Sequence, residues 1–552
     1  MTLTSKKYLR PLLLLAGGVL TGLCVVCPTV GFLEWLTLVP VGIFLLEYAS
    51  DTSVRLRRLY AWGLFFFMCY YLVVFHWFIN LYPLDFIDGM TPAAALAVVL
   101  FAHVGLSFFQ SLFGGLVFVA LAVLFRSRAD KRLPFIKPFA AGAVWAVYEW
   151  TQTLGWWGVP WGRLPLGQSK LLVGLQTASL FGSYFITFLL VAVNFCAAYA
   201  VCACISGDRR VRMSAIKLSS LSVALMLAFN YGAGAALWFG NDRDAERTVR
   251  VAVVQGNISS NEKWSTLSAA RTRKVYREYT LKAASEGAQI VVWPETALPY
   301  TVVEGNGTYT YLSELAKEAN VTILAGAFSP AEGKKSDYNA ILCFTPDGQM
   351  SDTVYAKRHL VPFGEFVPMR ELFELIVPPL TELVMTGEDI EQGKDAEVFE
   401  LDEGSLGSLI CFDSIYEELA LDSVRDGAQI LCISSNDSWF TDSVALYMHN
   451  AQAQLRAIET DRYIARSANT GISSFISDRG EIISSTQALV DGMLIEDVPL
   501  SDTRTLYTRI GNLFVYLCIG AYALVIAPDA VIYVRKKRQK NCDKNVNNVK
   551  AS

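Results

Sequence analysis

Three residues whose side chains could together carry out nucleophilic chemistry each stand at or near the end of a short apolar stretch. Cys411 follows the strand-like run 406–410 and enters a turn that also carries an acid. Glu295 ends the stretch that begins at Val291, and Lys357 follows Tyr355 and Ala356. A carboxylate, an ammonium and a thiol are the base, the cation and the nucleophile of covalent catalysis. The sequence therefore predicts a covalent mechanism on Cys411.

The roles of the three groups follow from what a thiol needs in order to react. A free thiol has a pKa of ~8.5, so a base or a nearby cation must assist it. Glu295 can take the proton if burial raises its proton affinity, and Lys357 can stabilise an oxyanion together with the backbone N–H after Cys411. One such donor contributes roughly 10²–10³ in rate. The alternative without catalysis is that Cys411 is a core cysteine and that Glu295 and Lys357 form a surface ion pair. For each residue alone this alternative is preferred over a catalytic role. For the three residues together the catalytic role is preferred.

The composition of the chain is that of a membrane protein with one large extramembrane insertion. Of its 552 residues 53% are hydrophobic and 18% are charged, and the mean hydropathy is +0.35, which is too apolar for an ordinary soluble protein. The net charge of −4 argues against a nucleic-acid partner. The pattern divides the chain into a transmembrane domain, an extramembrane catalytic domain, and a final span with a basic tail: 1–243, 244–508 and 509–552.

Apolar runs long enough to span a bilayer, which takes ~20 residues, number eight in our preferred interpretation. The run 92–125 is long enough to be split, and the first two runs are short and closely joined. The first run is not interpreted as a cleaved signal peptide, because Cys27-Pro28 leads straight into another apolar segment. Glu149 is either a functional intramembrane acid or a snorkelling interfacial residue. The predicted spans are 11–27, 29–48, 59–81, 92–125, 138–155, 178–205, 215–239 and 511–534.

Basic residues collect in alternate loops of this predicted topology. With eight spans every basic loop falls on one side of the membrane, which is the cytoplasmic side by the positive-inside rule. The domain 244–508 then faces away from the cytoplasm. The residues that carry this prediction are Lys6, Lys7, Arg10, Arg55, Arg57, Arg58, Arg126, Arg128, Lys131, Arg132, Lys137, Arg209, Arg210, Arg212, Arg535, Lys536, Lys537 and Arg538.

Within the exported domain, strand and helix patterns alternate, and the reactive residues cluster at strand ends. This is typical of a layered α/β domain, although the pattern leaves the stacking of its layers open. Helices are predicted for 265–286, 309–319 and 444–460. Strands are predicted for 249–255, 289–293, 321–327, 339–345, 352–356, 408–411, 429–434, 464–467 and 473–477.

Cysteine and histidine usage favours neither a disulfide framework nor a metal centre. The exported domain holds only Cys343, Cys411 and Cys432, and two buried free thiols are preferred over a Cys343–Cys432 bridge. With four histidines, no HExxH and no paired cysteine ligands, we expect no metal and no cofactor. A GxSxG nucleophile elbow is absent, so a serine hydrolase is not supported.

Several of these stretches resemble the nitrilase superfamily, whose catalytic triad is Glu-Lys-Cys. Membrane spans before such a domain and one after it resemble, more narrowly, the bacterial apolipoprotein N-acyltransferase family, and the likeness covers essentially the whole chain. The resemblance implies an α-β-β-α sandwich for the extramembrane domain. It is carried by Trp293-Pro-Glu-Thr, His359-Leu-Val-Pro-Phe-Gly-Glu-Phe-Val-Pro368, Ile410-Cys-Phe-Asp413, Ser435-Asn-Asp-Ser-Trp-Phe440, His449, Arg456-Ala-Ile-Glu459 and Asn469-Thr-Gly-Ile472.

The resemblance also assigns supporting residues. Glu365 is similar to an additional essential acid of the family and would hold Lys357 in place. Trp264 resembles an aromatic residue at the mouth of the site, and Asn339 a polar residue near it.

The chain departs from the family pattern directly after the nucleophile. Family members commonly have tyrosine and glutamate there, whereas this chain has Phe412 and Asp413. The carboxylate is retained on a shorter side chain, and the phenol hydroxyl is lost.

The activity implied by the resemblance is a two-step acyl transfer in the bacterial inner membrane, with the catalytic domain facing the periplasm. Cys411 would take an acyl chain from the sn-1 ester of a phospholipid, typically phosphatidylethanolamine. The thioester would then acylate the α-amine of a diacylglyceryl-cysteine at an apolipoprotein N-terminus. The implied partners are therefore membrane phospholipid and apolipoproteins, without nucleic acid, metal or cofactor.

Two alternatives belong to other classes. A membrane-tethered amidase would pass its acyl group to water, but it would need only an anchor rather than a large membrane domain. A non-catalytic lipid-binding scaffold would have no need for Glu295, Lys357 and Cys411 together.

Overall fold

The structure is a computed structural model that describes residues 6–84, 90–133, 135–205, 209–240, 247–259, 266–331, 333–376 and 389–551. Among these residues, its membrane part has seven helical segments of at least 15 residues before the α/β domain and one after it. In chain order they are α1 Leu9–Val26, α2 Pro28–Ala49, α3 Leu56–Val74, α4 Pro92–Arg126, α5 Lys137–Thr151, α6 Ser183–Ile205 and α7 Arg209–Phe239, and, at the end of the chain, α13 Leu513–Ala551.

Every apolar run predicted from the sequence overlaps one of these helices. Among the described residues, six helices are long and apolar enough to cross a membrane. The two others are α3, which starts with Arg57 and Arg58, and α5, whose 15 residues reach only about 22 Å at 1.5 Å per residue. The helix α4 is unbroken over 35 residues, so the run 92–125 is not split. Large apolar side chains such as Phe101, Leu225 and Leu524 point outward on these helices, as a lipid-facing surface requires.

Glu149, near the end of α5, is buried and does not snorkel toward an interface. Its Oε1 accepts a hydrogen bond from Leu164 N at 2.9 Å, and its Oε2 accepts one from Thr187 Oγ1 at 2.5 Å. One carboxylate oxygen thus connects α5 to the segment 160–168, and the other connects α5 to α6. Glu149 is a structural acceptor in this fold.

The described residues of the α/β domain form twelve strands in two six-stranded sheets. Sheet 1 has the order β12-β1-β2-β3-β4-β5 and sheet 2 the order β11-β10-β9-β8-β7-β6. The strands are β1 Thr248–Gln255, β2 Ile290–Val292, β3 Thr322–Pro330, β4 Asp337–Phe344, β5 Met350–Ala356, β6 Val398–Leu401, β7 Gly404–Ile410, β8 Ile430–Ser435, β9 Ile464–Ala468, β10 Ser474–Ile476, β11 Ile482–Ser485 and β12 Gly492–Pro499.

The two sheets pack face to face and are covered by helices on their outer faces. A core of apolar side chains from both sheets lies between them, with Val251 and Leu324 from sheet 1 and Leu406 and Ile430 from sheet 2. The covering helices are α8 Thr266–Ser285 and α9 Gly307–Ala319 on sheet 1, with α11 Glu417–Arg425 and α12 Val444–Thr460 on sheet 2; α10 Arg370–Ile376 lies in the connection after β5. The expected α-β-β-α sandwich is confirmed.

The direction of the strands brings the predicted reactive residues to one edge of the sandwich. β1, β2 and β3 are parallel, as are β7, β8 and β9, and β5 runs in the direction of β3 because both are antiparallel to β4. Glu295, Lys357 and Cys411 follow β2, β5 and β7, so all three lie at carboxyl ends of strands. Cys343 and Cys432 are buried free thiols in the core between the sheets, which confirms the preference for free thiols over a bridge.

A buried ion-pair cluster joins the membrane domain to sheet 2. Arg163, which follows α5, lies 3.0 Å from Glu417 at the start of α11, and both side chains are at most 1% exposed. Glu417 also accepts the hydroxyl of Tyr184 from α6. Arg163 and Arg456 both donate to Ile415 O, at 3.4 and 3.1 Å. The membrane domain thus holds the turn that directly follows Cys411.

We expect Arg163→Met to destabilise the protein by roughly 3–5 kcal/mol, because it leaves the carboxylate of Glu417 buried beside fewer cations. The matched control is Arg250→Met, which removes an ion pair with Asp497 whose side chains are 40% and 60% exposed and should cost about 1 kcal/mol or less. Thermal unfolding in detergent compares the two variants. Equal melting temperatures for them would contradict the structural weight given to the Arg163–Glu417 pair.

Candidate active site

Glu295 lies in a tight turn between the sheets. The preceding Trp293 is buried, and its indole N–H donates to Thr280 Oγ1 at 3.1 Å, while Ser434 Oγ donates to its carbonyl at 2.8 Å. The turn passes so close to β3 that a Cβ at Gly326 would lie 2.2 Å from Pro294 O. The carboxylate of Glu295 is therefore held from both sheets at a fixed position.

Lys357 binds two carboxylates in the interior of the site. Its Nζ lies 2.7 Å from Glu295 Oε1 and 3.0 Å from Glu365 Oε1. Asn339 Nδ2 donates to the same two oxygens at 2.8 and 2.9 Å. The remaining oxygens accept backbone N–H groups, from Asn436 for Glu295 and from Val361 for Glu365, both at 2.9 Å.

The structure thus brings together the predicted Glu295, Lys357, Glu365 and Asn339 in one buried hydrogen-bonded cluster. Glu365 holds the ammonium of Lys357, as the resemblance implies, and Asn339 bridges the two acids. Trp264 lies outside the described residues.

Cys411 is the first residue after β7, at the start of a short turn of 3₁₀ helix, and its backbone has φ +48°. Non-glycine residues seldom occupy this left-handed region. Thr296 and Phe363, in the other two segments of the site, have φ values of +45° and +62°. Backbone strain of this kind persists where surrounding contacts enforce it and is concentrated at functional sites.

Asp413 connects the nucleophile segment to the lysine segment. Its Oδ1 accepts the N–H of His359 at 2.7 Å, and its Oδ2 accepts the Tyr355 hydroxyl at 2.8 Å and the N–H of Ile410 at 3.1 Å. These donors come from β5, β7 and the backbone just beyond Lys357. Asp413 therefore positions Cys411 relative to Lys357.

Phe412, in contrast, contacts Tyr416 with its ring edge, at 5.3 Å between centroids. Tyr416 in turn stacks on His359, at 3.8 Å and 7°. The side chain at position 412 is thus packed against the aromatic pair that covers the Asp413 contacts.

Electrostatics keep the lysine charged and the resting thiol neutral. Burial opposes the ammonium of Lys357, but Glu295 and Glu365 outweigh burial and raise its pKa well above the ordinary value. Burial and then Glu295 raise the pKa of Cys411, and Lys357 offsets this only in part. A protonated thiol needs a base at the moment of attack. Glu295 is the carboxylate whose charge acts most strongly on Cys411.

A second polar cluster, Asp437–His449–Arg466, lies beside Cys411. The resemblance includes Asp437 and His449 but not Arg466. Ligand atoms of Cys411, Asp437 and His449 all lie within 4.8 Å of one another, which is compatible with a bound thiophilic cation. However, Arg466 Nη2 lies 2.7 Å from Asp437 Oδ2 and 3.2 Å from His449 Nδ1. A guanidinium already neutralises this carboxylate, so the donor set fits a metal ion poorly.

Sequence reasoning missed other contacts of the site as well. Tyr355 was expected only as a strand residue, and Asn436 contributes its backbone N–H, which no side-chain pattern reveals. The proximity of Arg466 to Asp437 follows from the pairing of β8 with β9, which the sequence alone does not give.

The fold and the site define the class of the protein. A two-sheet sandwich with a glutamate, a lysine and a cysteine at one edge is a domain of the nitrilase superfamily, here attached to membrane helices. Residues 250–508 match the carbon-nitrogen hydrolase family, and residues 17–196 match the apolipoprotein N-acyltransferase N-terminal domain. The chain belongs to the apolipoprotein N-acyltransferase family, and it is an acyltransferase.

Curated relatives resemble the chain over most of its length. Three of these relatives are named apolipoprotein N-acyltransferase. They come from Geobacter metallireducens (30% identity, 70% of this chain and 72% of the relative), Gloeobacter violaceus (29%, 91% and 90%) and Chlorobaculum tepidum (28%, 96% and 97%).

Two solved structures each cover about half of this chain. A Saccharomyces cerevisiae member of branch 10 of the nitrilase superfamily is 18% identical, with 47% of this chain and 92% of that chain covered and a TM-score of 0.37. An amidase from Nesterenkonia sp. is 15% identical, with 49% and 95% covered and a TM-score of 0.35.

The carboxyl of Asp413 should set the acidic limit of activity. Burial raises its pKa to about 6, and protonation turns one accepting oxygen into a donor that faces N–H groups. We expect acyl transfer to fall below pH 6 in the wild type, whereas Asp413→Asn should be slow throughout and lack this limb. Because the folded-state pKa is raised, this carboxyl adds stability as the pH falls through 6, so protonation of Asp413 does not itself unfold the protein. Initial rates from pH 4.5 to 8 test this; an unchanged acidic limb in Asp413→Asn would contradict it.

Proposed function

We propose that this protein moves an acyl chain from the sn-1 position of a phospholipid to the α-amine of the diacylglyceryl-cysteine of apolipoproteins, through a thioester on Cys411. The observation that carries the proposal is the buried cluster in which Lys357 Nζ lies 2.7 Å from Glu295 Oε1 and 3.0 Å from Glu365 Oε1, in electrostatic contact with Cys411. It supplies a base and a cation to one thiol.

In the first step Cys411 Sγ forms a bond to the ester carbonyl carbon, and Glu295 takes the thiol proton. The oxyanion is stabilised by the ammonium of Lys357 and by the N–H of Phe412. The bond from the carbonyl carbon to the glycerol oxygen then breaks, and that oxygen takes the proton from Glu295. The products are a lysophospholipid and the acyl-enzyme.

In the second step the amine nitrogen of the diacylglyceryl-cysteine forms a bond to the thioester carbonyl carbon. Glu295 accepts a proton from the nitrogen, and Lys357 again stabilises the oxyanion. The C–S bond breaks, and the proton returns to Cys411 Sγ. Glu365 and Asn339 keep Lys357 and Glu295 in place, and Asp413 sets the distance between the two strands.

The attachment of the catalytic domain to membrane helices supports a lipid-anchored acyl donor and a lipid-anchored acyl acceptor. A thiol held by a membrane domain meets ester and amine at the bilayer surface, so neither substrate has to be extracted into water. The basic loops of the predicted topology support a location in the bacterial inner membrane with the catalytic domain in the periplasm. Phosphatidylethanolamine is the proposed donor, and Trp264 is proposed as an aromatic residue at the mouth of the site.

The division of the chain into 1–243, 244–508 and 509–552 is part of the same proposal. The membrane helices bind the lipid substrates, and the middle part performs the chemistry. The last part returns the chain to the cytoplasmic side.

Intact mass spectrometry tests the acyl-enzyme. Wild-type protein incubated with phosphatidylethanolamine vesicles should gain one fatty-acyl mass, and Cys411→Ala should gain none. Addition of a diacylglyceryl-cysteine peptide should discharge the adduct and yield an N-acylated peptide, because the amine is the better nucleophile in a site from which water is largely excluded.

Glu295→Gln and Lys357→Met provide the second arm of this experiment. Each should slow adduct formation by roughly 10²–10³, the range for loss of one catalytic donor. Discharge by water as fast as by the peptide would instead favour the membrane-tethered amidase. An adduct that persists in Cys411→Ala would exclude Cys411 as the nucleophile.

A further inference from the structure

The carbonyl of Cys411 is held by side chains that the proposed chemistry does not use. Ser414 Oγ donates to this oxygen at 2.7 Å, and His449 Nε2 lies 3.2 Å from it. His449 is part of α12 and is completely buried, with its ring 5.4 Å from that of Trp161 and 6.0 Å from that of Phe440. The helix and the two aromatic rings therefore fix the position of His449 beside the nucleophile turn.

The contacts of His449 indicate which nitrogen carries the proton. Ser414 Oγ gives its single proton to Cys411 O and also lies 3.0 Å from Nε2, so it can only accept from the ring. A carbonyl oxygen likewise only accepts hydrogen bonds, so both contacts assign a proton to Nε2. Nδ1 lies 3.2 Å from Arg466 Nη2. Asp437 Oδ1 lies 3.0 Å from Nδ1, with its charge balanced by the same guanidinium. Burial, followed by Arg466, lowers the pKa of His449, in agreement with a neutral ring that has one proton.

The planar peptide bond transmits this contact to the opposite side of the backbone. In a trans peptide the C=O of Cys411 and the N–H of Phe412 point in opposite directions. Fixing the carbonyl on α12 therefore fixes the direction of the Phe412 N–H away from α12. The left-handed backbone of Cys411 is a conformation that relaxes unless such contacts enforce it.

We propose that His449 is a positioning residue which, through the carbonyl of Cys411, aims the N–H of Phe412 at the oxyanion formed on the acylated cysteine. The inference rests on the proposed function, because an oxyanion forms only if Cys411 attacks a carbonyl carbon. In this proposal His449 contacts neither the substrate nor the thiol, but it fixes the direction of the Phe412 N–H, which is one of the two oxyanion donors.

Three substitutions separate the hydrogen bond from the bulk of the side chain. In His449→Gln the side-chain N–H₂ occupies the position of Nε2 and can still donate to Cys411 O. In His449→Asn the N–H₂ corresponds to Nδ1 and reaches toward Asp437 instead. His449→Leu keeps apolar volume without a donor. His103→Leu is the matched control, since it also removes a buried histidine that contacts a backbone carbonyl, Leu72 O at 3.0 Å, but in the membrane helices.

Two reactions of the same thiol provide the readout. Acylation of Cys411 by phosphatidylethanolamine vesicles passes through an oxyanion, whereas alkylation by iodoacetamide does not. We expect acylation to fall about 10²-fold in the Leu and Asn variants, which is in the range for loss of one oxyanion donor. In the Gln variant, which keeps the donor, acylation should fall less than about 10-fold. Alkylation should stay within about threefold of wild type in all of them, and His103→Leu should react like wild type in both assays.

The outcomes distinguish this proposal from the proposed function. Absence of acylation in the wild type would overturn the proposed function itself. Acylation in the wild type with normal acylation in all three His449 variants would overturn only the positioning role. Equal losses in the Gln and Leu variants, or a parallel fall of alkylation and acylation, would also overturn it, because the effect would then come from packing or from the thiol.

Discussion

The ammonium of Lys357 is the interaction on which the arrangement of the site depends. A buried cation is strongly unfavourable unless it is paired, and here two carboxylates share it, with Asn339 bridging them. The acids themselves need further donors, which come from Val361 in the lysine segment and from Asn436 after β8. The cluster therefore draws on both sheets. A shift of one sheet relative to the other would leave a charge without a partner, so the electrostatics of the site also fix the register of the sandwich.

The neutral resting thiol follows from the same cluster. Two acids face one ammonium, so the surroundings of Cys411 carry an excess of negative charge, and burial adds to the cost of a thiolate. Cysteine enzymes that keep a thiolate at rest lower the pKa of the thiol with a nearby cation or a helix N-terminus. In the proposed mechanism, proton transfer to Glu295 instead accompanies the attack. The thiol then becomes nucleophilic mainly when a carbonyl group is present, which limits reaction with other electrophiles.

The sequence predicted the residues that gather at the candidate site more completely than it predicted the strands of the domain. The segments before Glu295 and Cys411 are short and apolar because β2 and β7 are interior strands. Lys357 follows the edge strand β5, and it was predicted from the distinctive residues that come after it. β6, β11 and β12 were not predicted; β6 and β11 are edges of sheet 2, and β12 is an edge of sheet 1. Edge strands are half exposed, so their sequences lack a continuous apolar run. The contacts of Asp413 with His359 and Tyr355 depend on which strands face each other, and no local pattern contains that information.

The position of the nucleophile relative to the membrane is determined by contacts made outside the site. Arg163 from the membrane domain and Arg456 from α12 both donate to Ile415 O, four residues after Cys411. Trp77 and Trp161 of the membrane domain pack against Phe440, just before α12, at 5.1 and 5.3 Å between ring centroids. A flexible tether would let the α/β domain tilt, and the distance from Cys411 to the bilayer would vary. The charged and aromatic contacts between the two domains oppose such a tilt, so the membrane domain does more than anchor the α/β domain.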